Sequence, residues 1–297
     1  NPMKSHHKPL KIGLIGTGFM GKTHVYGYAI ADRVFDLPYK LELVSVADVS
    51  EDLAQSAAHS LGFKKSTSNW LDLIDDRDLD LISITSPNEF HKEMAIAALE
   101  AGKHVYCEKP LAPTLKDCDE MVCVAGKSAG KTQVGYNYLS NPMLDVARNL
   151  IESGELGKII SFRGIHIEDY MSDLDSVYTW RHNPVGGGVL ADLGSHILAT
   201  AEFLLGPICE VLGDCVTVIP SRKTCEGVRK EIKVDDISRS YLKFSSGVTG
   251  NIEASWLATG RKMKHDFEIN GTQGSISYSQ ERLNELNFFS KKDKQGF

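Results

Sequence analysis

Leu10-Lys11-Ile12-Gly13-Leu14-Ile15 runs directly into Gly16-Thr17-Gly18-Phe19-Met20-Gly21, and these residues decide the fold. The first six form a short, nearly continuous apolar run, which suits a strand buried on both faces. Glycines follow at once, and a helix-length segment covers 20–35. A lone Gly-x-Gly-x-x-Gly is a weak signal, because glycines this close also occur in ordinary turns. Between a strand and a helix it becomes the turn that binds a dinucleotide. Gly16 permits the tight turn, Gly18 lets backbone approach a pyrophosphate, and Gly21 allows close helix–strand packing. The helix start at Phe19 and Met20 supplies amide donors for the phosphates.

The pattern repeats outward from this stretch. A strand over 41–47 ends in Asp48, and Ser50 caps a helix with Glu51 and Asp52 in its first turn. A strand over 80–85 closes at Ser86-Pro87, a helix over 89–101 stops at Gly102, and a strand follows over 104–107. A helix over 114–128 and a strand from 132 complete the series. Alternation at this spacing predicts an α/β fold: a doubly wound parallel sheet with helices on both faces. Asp48 stands where a carboxylate binds a ribose 2′-hydroxyl, and a carboxylate there repels a 2′-phosphate, which favours NAD over NADP. The competing reading makes Asp48 a helix-capping residue only.

The second half has a different texture. Helices are predicted over 142–153 and 190–205, with a strand over 159–167 and a loop to Gly188 between them. Strands then follow over 209–219, 228–233, 238–244, 249–257, 264–269, 275–278 and 285–289. Such a run indicates an α+β domain with an antiparallel or mixed sheet. The expected domains are therefore 1–135, which binds the nucleotide, and 136–297, which binds substrate and carries oligomer contacts.

Composition narrows the function classes. The 297 residues are 42% hydrophobic with a net charge of −6, which argues against nucleic acid or anionic membrane as main partner. No apolar run approaches the roughly 18 residues of a membrane span. The polar start, Asn1 to Lys8, lacks a signal-peptide apolar region. The six cysteines form no C-x-x-C pair and read as reduced thiols of a cytoplasmic protein. Asp235-Asp236 reads as a turn before a strand; neighbouring strand carboxylates point to opposite faces, so no metal is expected. Lys291-Lys292-Asp293-Lys294 reads as solvated surface.

Glu108-Lys109-Pro110 ends the strand over 104–107, at the sheet edge where ligands of such folds bind. Pro110 biases Lys109 to an extended conformation and admits a cis bond. Together with Thr85-Ser86-Pro87-Asn88, His91, Gly135-Tyr136-Asn137, Gly186-Gly187-Gly188, Asp192-Leu193-Gly194-Ser195-His196 and Gly271-Thr272-Gln273-Gly274, this motif resembles the Gfo/Idh/MocA oxidoreductases. The resemblance spans almost the whole chain. It implies an N-terminal Rossmann domain and a C-terminal α+β domain with a large, mostly antiparallel open sheet. Gly18-Phe19-Met20-Gly21-Lys22 with His24 is most similar to the inositol and levoglucosan dehydrogenase branch. Chains of this family continue past the position of Gly296-Phe297, so no substrate contact from such a segment is named.

The resemblance implies roles. Lys109, Asp192 and His196 would be catalytic. Ser86, Pro87, Asn88, His91 and Glu108 would border NAD, with Gly16, Gly18, Phe19, Met20, Gly21 and Asp48. Asn137, Trp180 and Arg181 would face substrate, while Asp169 and Tyr170 rank lower. The chemistry suits these residues. Asp192 and His196, four apart on a helix, project from one face. Three glycines before that helix let backbone approach a ligand. His196 can accept a hydroxyl proton near neutral pH, and a lysine cation can stabilise alkoxide charge. Whether Lys109 or His196 is the immediate base stays open. The implied function is an NAD-dependent oxidoreductase moving a hydride between the secondary hydroxyl of a sugar or cyclic polyol and nicotinamide. An NAD-dependent glycosidase-like enzyme, a reductase working in the opposite direction and a non-catalytic NAD-binding sensor are the alternatives. A homodimer or homotetramer is expected.

Overall fold

The computed structural model describes residues 8–292. The polar start over 1–7 and the end of the Lys291-Lys294 charge run lie outside them. The chain divides after Gly135 into two compact units.

The first unit alternates strand and helix throughout: β1 (Lys8–Ile15), α1 (Phe19–Val34), β2 (Tyr39–Ala47), α2 (Glu51–Leu61), β3 (Lys65–Thr67), α3 (Leu71–Asp75), β4 (Leu81–Ile84), α4 (His91–Glu100), β5 (His104–Cys107), α5 (Leu115–Lys127) and β6 (Thr132–Val134). All strands pair in parallel in the order β3-β2-β1-β4-β5-β6. The chain reverses its direction of sheet growth between β1 and β4, the crevice in which such sheets bind ligands. Side chains of β1 alternate between two cores. Leu14 packs with Val25 of α1 and Ala57 of α2. Ile15 packs with Leu73, Met94, Leu99 and Met121 from α3, α4 and α5. Truncating a fully buried Leu14 or Ile82 would cost about 2–5 kcal/mol.

The sequence reading lacks β3 and α3. β3 is three polar residues long and pairs only with β2, so it carries no apolar run by which it could be recognised. Ser50 is the cap of α2: its side chain accepts from the Leu53 amide. Asp48 is therefore not the capping residue.

The second unit holds α6 (Pro142–Glu152), β7 (Ile159–Ile167), α7 (Ser195–Leu205), β8 (Ile208–Val216), β9 (Ser221–Lys223), β10 (Arg229–Glu231), β11 (Ile237–Phe244), β12 (Thr249–Ser255), β13 (Lys264–Gly271), β14 (Gly274–Ser279) and β15 (Leu286–Ser290). Seven strands form one sheet in the order β15-β14-β13-β7-β12-β11-β8, antiparallel except for the β7–β12 pair. One face buries Phe162, Phe244, Ile269 and Ile276 against Leu144 and Ala147 of α6 and Ile197 and Ala201 of α7. The other face carries exposed Tyr241 and cross-strand ion pairs such as Arg163–Glu268 and Arg239–Glu253.

Three expected elements differ; the strand expected over 228–233 is only β10, paired with β9 outside the seven-stranded sheet. The strand expected over 209–219 stops at Val216, because the buried Asp236 carboxylate accepts the Val218 and Ile219 amides and draws the chain off the sheet. The helix expected over 190–205 opens with a π-helical turn, Leu190–Gly194, before α7. Its Leu190 amide donates to the Asp235 carboxylate at 2.8 Å. Asp235 and Asp236 thus serve different backbone amides.

Candidate active site

The turn between β1 and α1 fits a dinucleotide. Gly16 has φ +94°, and a Cβ there would stand 2.9 Å from the Thr85 main chain. A Cβ on Gly21 would stand 2.3 Å from the Gly16 carbonyl oxygen, so only glycine lets α1 start this close to the turn. A Cβ on Gly18 would meet nothing within 4 Å, which leaves open space over the loop. Gly18 is also the N-cap of α1 and offers no side-chain cap, so the first-turn amides of a 16-residue helix point out of the loop for an anion. Phe19 is exposed beside it. Asp48 accepts the Thr17 amide at 2.8 Å, the Thr17 hydroxyl, and through its other oxygen the Val49 amide at 2.7 Å. It is joined to the glycine loop itself.

The loops after β4 and β5 are tied together. His91 is fully buried, with Nδ1 3.0 Å from the Pro110 carbonyl and Nε2 2.9 Å from the Ser86 carbonyl. Burial holds its imidazole below the ordinary histidine range. His91 thus acts beneath the Ser86-Pro87 and Lys109-Pro110 loops as a brace. Asn88 is buried in the same turn. The Lys109–Pro110 bond is cis. Glu108, 5% exposed, accepts the Lys109 amide at 3.2 Å and faces His24 Nε2 at 2.9 Å.

In the second unit, Asp192 sits in the π-helical turn and His196 on the first turn of α7. The same Asp192 oxygen accepts the Tyr170 hydroxyl at 2.7 Å and the Arg181 Nε at 2.9 Å. Burial and the adjacent carboxylate push the Tyr170 phenol up. Burial pulls the Arg181 guanidinium down, but the Asp192 charge, Tyr170 and the hydrogen bonds to both together leave the group raised. Arg181 also lies over the Trp180 ring, 4.5 Å from its centroid, which fixes both side chains. His196 is nearly buried and stacks on Tyr138 at 4.3 Å between ring centroids, with the His166 ring 5.5 Å away. Asn137 is exposed at the start of the 3-10 turn that carries Tyr138. Two of the glycines before the π-helical turn make room for the protein's own atoms: a Cβ on Gly187 would stand 2.3 Å from the Arg181 carbonyl oxygen and one on Gly188 2.2 Å from the Asp235 carboxylate.

Sequence reasoning passes over His166, which donates from Nδ1 to the Leu193 carbonyl at 3.1 Å and holds the π-helical turn from below. Tyr170, placed lower by the sequence, donates its hydroxyl to Asp192. The signal for His166 is its spacing from Glu168, two apart and on one strand face; the pair stands 3.2 Å apart.

Residues 10–136 match a model described as the oxidoreductase family, NAD-binding Rossmann fold, and residues 145–277 match the GFO/IDH/MocA C-terminal domain. The chain belongs to the Gfo/Idh/MocA family. Levoglucosan dehydrogenase of Pseudarthrobacter phenanthrenivorans is 38% identical over 97% of this chain and 79% of its own length. The 1,5-anhydro-D-fructose reductase of Ensifer adhaerens is 32% identical over 89% of this chain and 74% of its own. A solved levoglucosan dehydrogenase in complex with NADH and levoglucosan superposes with a TM-score of 0.94 at 37% identity, covering 97% of this chain and 77% of that one. This Gfo/Idh/MocA protein is accordingly an NAD-dependent oxidoreductase, in agreement with the glycine turn. Among its described residues no helix is long and apolar enough to cross a membrane.

Proposed function

We propose that this enzyme oxidises a secondary hydroxyl of a sugar, sugar derivative or cyclic polyol. The observation that carries the reading is the Tyr170–Asp192–Arg181 cluster one helical turn before the buried His196. Such a set offers an acceptor, donors and a proton-accepting imidazole to a ligand rich in hydroxyls. The names of the relatives, levoglucosan dehydrogenase and inositol 2-dehydrogenase among them, support the same substrate class. They favour net hydride transfer over a glycosidase-like cycle or a sensor.

NAD supplies the hydride acceptor; the chain supplies orientation and proton movement. Gly16, Gly18 and Gly21 with the amides of Phe19 and Met20 hold the pyrophosphate. Asp48 receives the ribose hydroxyls. Ser86, Pro87, Asn88 and Glu108 border the nicotinamide side, braced by His91. Lys109 stabilises the alkoxide charge as the hydroxyl loses its proton, and His196 Nε2 or Nδ1 accepts that proton. Asp192 binds a neighbouring hydroxyl, and Asn137, Trp180 and Arg181 line the substrate. We further propose a homo-oligomer built on the open face of the seven-stranded sheet, and a reducing, cytoplasmic setting in keeping with six free thiols. Light scattering tests the first of these.

The decisive experiment follows nicotinamide absorbance with NAD and NADP on a panel of anhydrosugars, inositols, hexoses and pentoses. Turnover with NAD on one group is expected, and Lys109→Met should abolish it while NADH still binds. Turnover retained in Lys109→Met would remove the role given to that lysine. Silence on the whole panel with NADH bound would overturn the dehydrogenase reading.

A further inference from the structure

Inside the first unit, a line of buried polar groups joins the cofactor helix to the lysine loop. The Tyr28 hydroxyl donates to Ser83 Oγ at 3.1 Å, and Ser83 Oγ stands 2.7 Å from His24 Nδ1. His24 Nε2 meets Glu108 Oε1 at 2.9 Å, and the second Glu108 oxygen accepts the Lys109 amide. The carboxylate at one end accepts only, and the phenol at the other end donates. Nε2–H therefore donates to Glu108, and in that neutral tautomer Nδ1 accepts from Ser83. Ser83, His24 and Glu108 are each less than a tenth exposed. The Tyr106 ring stacks on His24 at 4.5 Å and sets its plane. Gly135 completes the slot, since a Cβ there would stand 2.6 Å from Glu108 Oε1.

His24 lies three residues beyond Gly21 on α1, on the face that packs against the glycine turn. It therefore connects the helix whose start receives the pyrophosphate with the residue that precedes Lys109. We propose that His24 is a positioning residue for Lys109: through Glu108 it fixes the lysine main chain relative to the cofactor helix. The proposal rests on the role given to Lys109 above. Misplacing a reacting group by about 1 Å costs on the order of a hundredfold in rate, so a brace of this kind acts on kcat more than on cofactor affinity.

The test compares two amides. A glutamine at 24 brings its nitrogen near the place of Nε2 and keeps the donor to Glu108. An asparagine reaches only the place of Nδ1 and keeps Ser83 alone. His24→Asn should lower kcat by about tenfold or more, with NADH Kd within about threefold, and His24→Gln should stay within about threefold of the parent kcat. Adding His24→Asn to Glu108→Ala should cost nothing further. Rates are taken per folded molecule, with thermal melting run alongside. Equal kcat loss in both amides, or an unchanged kcat in His24→Asn, would reduce His24 to packing. Lys109→Met assayed beside them separates the two claims. If it is inactive while His24→Asn keeps full kcat, only the positioning role fails; if it turns over, the lysine role fails and the positioning role with it.

Discussion

The two units build their candidate ligand groups from different material. In the first unit the groups proposed to meet the ligand are largely main chain: a turn of glycines, the amides at the start of α1, and Asp48 tied to that same turn. In the second unit they are side chains drawn from separated places: Asn137 before α6, Tyr170 and Arg181 in the long loop, Asp192 within the π-helical turn and His196 just after it. A site made of backbone is damaged by adding atoms. A site made of side chains is damaged by removing them.

Four experiments press on this difference. The largest effect is expected for His196→Asn, which removes the proposed proton acceptor and should lower kcat by about a thousandfold with NADH affinity unchanged, as fluorescence titration would show. An equal loss of NADH affinity would break the division of labour. Next comes Gly21→Ala, where the new methyl collides with the Gly16 carbonyl oxygen. An overpacking cost of about 1–3 kcal/mol should appear chiefly as NADH binding weakened about ten- to a hundredfold. Tyr170→Phe removes one of the hydrogen bonds to the Asp192 carboxylate and should reduce kcat/KM about tenfold, with the cofactor again unaffected.

The smallest effect concerns stability. His91, His182 and His265 all have imidazoles held below the ordinary range, with burial the leading cause in each. A depressed pKa means that the unfolded chain binds these protons first. Their stabilisation is complete above the ordinary value of about 6.5 and is lost as pH falls from there through the lowered folded values, by at most about 1.4 kcal/mol per pH unit for each histidine. Melting temperature followed from pH 8 downward checks this, and replacing His265 by Asn should flatten the slope.

The same contrast explains what could be read in the sequence. The glycine turn, Ser50 and Glu108-Lys109-Pro110 are local strings whose neighbours in the chain are their neighbours in space, so their contexts were legible. β3 was not, because an edge strand of Lys65-Ser66-Thr67 has no buried face to mark it. The end of β8 was not, because Asp236, some twenty residues away, sets it. Family resemblance supplied Asp192 and His196 together. Nothing local shows that Tyr170 would reach Asp192, or that His166 would support the π-helical turn that carries Asp192.

The π-helical turn has one more consequence. Ser195 donates its amide to Leu190, five residues back, so the segment that carries Asp192 holds one residue more than an α-helix would allow. That surplus is an angular offset: converting it to α-helix by a one-residue deletion would rotate everything before it by about 100° about the helix axis.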